Sequence, residues 1–86
     1  MRIYVGHVLI DPAVSAKIRA KHDLTDDEVR DACRSPVSAA FDVDPDRGRR
    51  LLLVGVGYGR RLKIVLYPVD ESDGTWRLAT AFVSTR

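Results

Sequence analysis

The sequence predicts an α+β fold: an antiparallel sheet of four or five strands with two helices packed on one face. Three features of the chain point there. The apolar period is helical between Asp11 and Arg34 and becomes extended after Pro36. Thr25 followed three residues later by Glu28 marks the start of a second helix. The late strands are joined by turns too short for crossovers, which makes them antiparallel neighbours. The order is strand, helix, helix and then three or four strands, in one domain covering residues 1–86.

Arg2 to Ile10 is expected as the first strand, with Ile3, Val5 and Val8 supplying β-branched bulk and Gly6-His7 weakening the middle. Asp11-Pro12 starts a helix, with Asp as the cap and Pro at the first helical position. That helix should run to about His22. Val14, Ile18 and His22 lie four apart on one line, and Lys17 and Lys21 form an adjacent basic row.

The junction Lys21-His22-Asp23-Leu24-Thr25-Asp26-Asp27-Glu28-Val29 organises the rest of the chain. In a capping box the Thr25 hydroxyl accepts from the Glu28 amide, and the Glu28 carboxylate reaches back to the Thr25 amide. Leu24 and Val29 fall at the positions of a hydrophobic staple. Asp26, Asp27 and Glu28 put three carboxylates in the first turn, where the helix dipole favours them. The second helix then runs to about Arg34 with Val29, Ala32 and Cys33 as its apolar stripe, and Ser35-Pro36 ends it.

Val37 to Val43 reads as a weak strand, and Asp44 to Gly48 as a turn. Arg49 to Val56 is a strong strand, with Arg50, Leu52, Val54 and Val56 on one face and Leu51 and Leu53 on the other. Gly57-Tyr58-Gly59 turns the chain. Arg60 to Val69 follows, with Leu62, Ile64 and Leu66 toward the core and Arg61, Lys63, Val65 and Tyr67 away from it. Pro68 marks a sheet edge or a bulge. After a polar turn, Thr75 to Ser84 is the last strand. Trp76, Leu78, Thr80 and Phe82 alternate there with Arg77, Ala79, Ala81 and Val83.

A chain of 86 residues has a real but thin core. Its hydrophobic content of 45% and charged content of 30% exclude a disordered or fibrous class. One cysteine precludes an internal disulfide and fits a reducing cytoplasm. No apolar run is long enough to span a membrane. The net charge is only +2, but most of the fourteen cations are arginine, whose planar fork suits phosphate.

Several local patterns have plain structural readings. Gly55-Val56-Gly57-Tyr58-Gly59-Arg60 resembles a nucleotide loop, but such loops lead into a helix and here a strand comes next. Asp42, Asp44 and Asp46 lack the later glycine and glutamate of a calcium loop. Cys33 reads as a buried structural thiol. Neither His7 nor His22 has a partner at ligand spacing, so no metal and no cofactor is expected. The stronger signal is cationic. Seven of the fourteen cations lie between Arg47 and Arg77. Alternation sends Arg61, Lys63 and Arg77, with Tyr67 among them, to the face away from the leucine core, an adequate surface for phosphate.

At this point the chain resembles a known family. Lys21 to Val29 is similar to the lysine-histidine-glycine, Ser/Thr-x-x-Glu segment of BrnT-type toxins, which belong to the RelE/ParE superfamily of toxin–antitoxin pairs. Asp46-Arg47-Gly48-Arg49-Arg50-Leu51-Leu52-Leu53-Val54-Gly55 and Gly59-Arg60-Arg61-Leu62-Lys63-Ile64-Val65-Leu66 resemble the family's second and third strands. Leu78-Ala79-Thr80-Ala81 resembles its last strand, although Phe82 stands where relatives often carry arginine.

The resemblance implies a RelE-like sheet with two helices. It also implies a cytoplasmic, metal-independent endoribonuclease that is neutralised by a cognate antitoxin protein. Cleavage of this kind needs a base for the 2′-hydroxyl, cations for the phosphorane and an acid for the leaving oxygen. His22 is the expected base and Lys21 a phosphate contact. Arg49, Arg61 and Arg77 would offset the developing charge. Tyr58 and Tyr67 would stack on bases, with Arg60 and Lys63 holding the RNA backbone. The rival readings are a non-enzymatic basic binding module and a gyrase-directed toxin of the same fold.

Overall fold

Pro12 opens the first helix and Thr25 caps the second, where the sequence predicts both. The computed structural model describes residues 3–84. The elements are β1 His7–Leu9, α1 Pro12–His22, α2 Asp26–Arg34, β2 Pro36–Asp44, β3 Gly48–Gly57, β4 Arg60–Asp70 and β5 Thr75–Val83. Among the described residues no helix is long and apolar enough to cross a membrane.

The five strands form one mixed sheet in the order β1-β5-β4-β3-β2. β2 to β5 are an antiparallel meander, as the short turns require. The expectation of a wholly antiparallel sheet is corrected at one edge, where β1 pairs parallel to β5. Most of the chain separates these two strands, so no turn signal could fix their direction. The first strand is also shorter than expected. The Gly6 and His7 amides both donate to the Gly74 carbonyl, at 2.8 and 2.9 Å, and pairing with β5 begins only at His7. Arg2, where that strand was expected to begin, lies outside the described residues.

α2 seats on β3 and β4, and two glycines make the seat. A β-carbon on Gly55 would collide with the Ala32 carbonyl, and one on Gly57 with the Glu28 carbonyl. The glycines that look like a loop therefore let a helix backbone touch a strand. The core between them holds Val29, Ala32, Leu51, Leu53, Leu62 and Ile64. α1 packs along β5, with Ile18 fully buried.

A bulge resets β5. Leu66 pairs with Leu78 but Val65 pairs with Thr80, which leaves Ala79 as the extra residue. Beyond it the alternation inverts: Ala81 enters the core and Phe82 moves to the open face, opposite Lys63. The expected Trp76-Leu78-Thr80-Phe82 face is corrected accordingly. A second register shift lies between Pro68 and Asp70, and Pro68 stands beyond the last residue paired with β3. Proline's missing donor therefore costs no ladder bond to that strand.

The junction between the helices is tight. Asp23 closes α1 in the left-handed region at φ 54°, its amide donating to the Arg19 carbonyl at 3.2 Å. Leu24 and Val29 are fully buried, as a staple requires. Thr25 Oγ1 accepts the Glu28 amide at 3.2 Å. The return half of the capping box is replaced, because the Glu28 carboxylate is taken by Arg60 from the start of β4. A charge-assisted bond outcompetes the neutral amide. Asp11 behaves alike. It sits at the N-cap of α1 without a side-chain cap bond, and both its oxygens accept from Arg77 at 3.1 Å.

Candidate nucleic-acid interface

Directly opposed residues of an antiparallel pair share a face, so the register assigns the open side of the sheet. The row Ala40, Leu52, Val65 and Thr80 crosses its centre. Next to it run Ser38, Val54, Lys63 and Phe82, then Val56 and Arg61. On the other side lie Asp42 with Arg50 and Tyr67 with Arg77. The middle of this face is apolar, with a shallow hollow of about 240 Å³ lined by Leu52, Val54, Lys63, Val65 and Phe82. The expected basic face is thus two cationic ends separated by an apolar strip.

The first end is a cleft of about 330 Å³ between α1 and the end of the sheet. Lys17, Arg47, Tyr67 and Arg77 line it with Asp11. Arg47 stacks over the Tyr67 ring at 5.4 Å, and the Tyr67 hydroxyl donates to Asp44 Oδ2 at 2.9 Å. Arg50 holds Asp42 Oδ2 at 2.7 Å and Asp44 Oδ2 at 3.5 Å. These contacts keep both carboxyls below the ordinary carboxylate range. The Arg50 guanidinium dominates at Asp42, and at Asp44 the Asp46 amide leads, followed by the Tyr67 hydroxyl. The aspartates that look like a calcium loop therefore orient Tyr67 and Arg50.

The second end gathers around the last turn of α1. The His22 ring lies 6.0 Å from that of Phe82, with the planes tilted by 45°. Phe82 is 37% exposed and stands opposite Lys63. Arg61 is exposed further along β4. Lys21 follows Lys17 by one helical turn, so the basic row of α1 leads from the first end toward the second.

Arg77 meets Asp11 before the start of α1 and Phe82 meets His22 at its end. The helix has eleven residues, so the two ends lie about 16 Å apart. His22 and Arg77 therefore do not reach one phosphate. Arg49 lies on the other face of the sheet: it faces the helix side, 3.8 Å over the Phe41 ring, and pairs with Glu71 at 2.9 Å. Arg60 is bound to Glu28 and to the Asp23 carbonyl at 2.9 Å. Tyr58 is exposed at the β3–β4 tip, where the side chains around it are of mixed charge. Its amide donates to Asp31 Oδ2 at 3.0 Å, and Asp26, Asp27, Arg19 and Arg30 line the adjacent hollow.

Of the nine residues expected at the site, the structure thus brings Tyr67 and Arg77 together. It groups His22 and Lys63 around Phe82, with Arg61 and Lys21 leading to them. Arg49, Arg60 and Tyr58 fall elsewhere. Sequence reasoning missed Lys17 and Arg47 as partners of Arg77. The Lys17–Lys21 spacing was the available signal for the first; nothing local points to the second. No family model, curated protein or solved structure matches this chain.

Proposed function

We propose that this protein is the toxin of a type II toxin–antitoxin pair, a cytoplasmic endoribonuclease that binds RNA across the open face and needs no metal. The convergence of Lys17, Arg47, Tyr67 and Arg77 in one cleft carries the reading, beside the motif resemblance at Lys21 to Val29. Three cations against the single carboxylate of Asp11 make that cleft attractive to a phosphate.

The cleft grips the strand at one end of the face. At the other end Phe82 offers a stacking surface for a base, worth about 1–3 kcal/mol. His22 beside it takes the 2′-hydroxyl proton as that oxygen attacks phosphorus, and Lys21 and Lys63 offset the charge that develops on the phosphorane. The P–O5′ bond then breaks, with the leaving 5′-oxygen taking a proton from solvent water. Arg77 acts in holding the strand, about 16 Å from the scissile bond. A cognate antitoxin neutralises the protein.

The distance between His22 and Arg77 also favours a second reading, a basic module that binds nucleic acid without cutting it. End-labelled single-stranded RNA incubated with the purified protein in a chelator decides between them. Cleavage that is lost in His22→Gln with binding retained, and binding weakened in Arg77→Gln, supports the ribonuclease. Intact, bound RNA supports the binding module. An absence of binding overturns both.

A further inference from the structure

A second cleft lies between β1 and α2, away from the open face. It encloses about 320 Å³. Val5, His7, Val8, Arg30, Cys33 and Arg34 form its walls. Arg30 and Arg34 are one turn apart, so both leave the same side of α2. Arg30 donates to the Val8 carbonyl at 3.2 Å, which aims its guanidinium across to the edge strand.

The charge of this cleft is not balanced. Neither arginine joins an ion pair among the described residues. Asp27 and Asp31 each precede one of them by three residues, within reach along a helix. Asp31 is instead turned to the Tyr58 amide, and neither carboxylate lines the cleft. Burial pushes the Cys33 thiol up to about 12, so the sulfur adds no negative charge to the floor.

We propose that this cleft binds a phosphomonoester. Arg30 and Arg34 fork the phosphate oxygens, His7 adds a hydrogen bond, and Val5 and Val8 pack against the attached group. Paired guanidiniums match the geometry and charge of a terminal phosphate. The volume is at the small end of ligand sites, the scale of one nucleotide. The inference does not rest on the toxin reading, because it concerns a different side of the molecule and can be read without any cleavage. The phosphate can come from a free nucleotide or from the 5′ end of an RNA.

The test is a titration of the full chain, isotopically labelled, followed by amide NMR. Adenosine 5′-monophosphate should give saturable shifts at His7–Leu9 and Arg30–Arg34, and adenosine should give none. Arg34→Gln should weaken that binding roughly tenfold with the rest of the spectrum preserved, as loss of a charged hydrogen-bond partner implies. Arg61→Gln, the same charge change on the open face, should leave it intact. Arg30→Lys, which keeps the charge and loses the fork, should weaken it less than Arg34→Gln. Preference for a 5′-phosphorylated over a 5′-hydroxyl oligonucleotide would identify an RNA end; binding of the mononucleotide without that preference would identify a free nucleotide. Shifts scattered over the basic surface, equal losses in Arg34→Gln and Arg61→Gln, or no saturable shift would overturn the proposal.

Discussion

Arg60 Nε lies 3.1 Å from Glu28 Oε2, and Nη2 of the same guanidinium donates to the Asp23 carbonyl at 2.9 Å. One side chain from the first residue of β4 thus ties the end of α1 to the start of α2. Glu28 is 8% exposed, so removing its partner leaves a nearly buried carboxylate with only Thr25 beside it. Arg60 itself is partly solvated, which tempers the loss. Arg60→Gln should destabilise the fold by about 1–2 kcal/mol in a denaturant titration. An unchanged midpoint would show that water already satisfies Glu28.

Gly55→Ala tests the seat of α2. The new β-carbon meets the Ala32 carbonyl, a backbone atom that cannot swing aside. Overpacking of this kind costs about 3 kcal/mol. Val56→Ala, on the open face, should cost far less, since Val56 is already partly exposed. Comparable losses in thermal melts of the two variants would refute the glycine seat.

Tyr58 and Gly59 sit at φ 50° and 81°, the pair of positive values that a two-residue type I′ hairpin requires. Gly59 adopts this freely, and tyrosine does so under strain. Asn is the favoured residue in that slot, so Tyr58→Asn should raise stability by about 0.5–1 kcal/mol. RNA affinity should not change, because the ring stands outside the cleft that Lys17, Arg47, Tyr67 and Arg77 line. A loss of affinity on filter binding would return Tyr58 to the interface.

Asp42 and Asp44 give the fold an acid limit. Their folded values lie below the ordinary carboxylate value of about 3.9. A group depressed in this way contributes stability above its unfolded value and loses it as pH falls through the folded one. Denaturant midpoints should therefore decline below about pH 4. Asp44→Asn should lower the midpoint at neutral pH and flatten that decline. It should also loosen Tyr67, whose hydroxyl bonds to Asp44.

The local elements were legible because their causes are local. Pro12, Thr25 and Pro36 set both helices to within a residue, and the staple positions of Leu24 and Val29 named two fully buried side chains. Strand alternation placed Leu62, Ile64 and Leu66 inside with Lys63 and Tyr67 outside. The same alternation failed after Ala79, where a single extra residue inverted the face of Phe82. Nothing in Leu78-Ala79-Thr80 distinguishes a bulge from continued strand.

Periodicity, caps and turns act over a few residues, and they were enough to specify the α+β class, the element order and the helix junction. Which carboxylate each arginine meets was settled by packing alone. Arg77 finds Asp11, Arg60 finds Glu28 and Arg49 finds Glu71 across separations that no local rule spans. Packing also set the parallel β1–β5 edge and the distance between His22 and Arg77, because α1 lies along β5 and sets its own length between them. Charge composition counts the cations; the packing of one helix determines where on the sheet they gather.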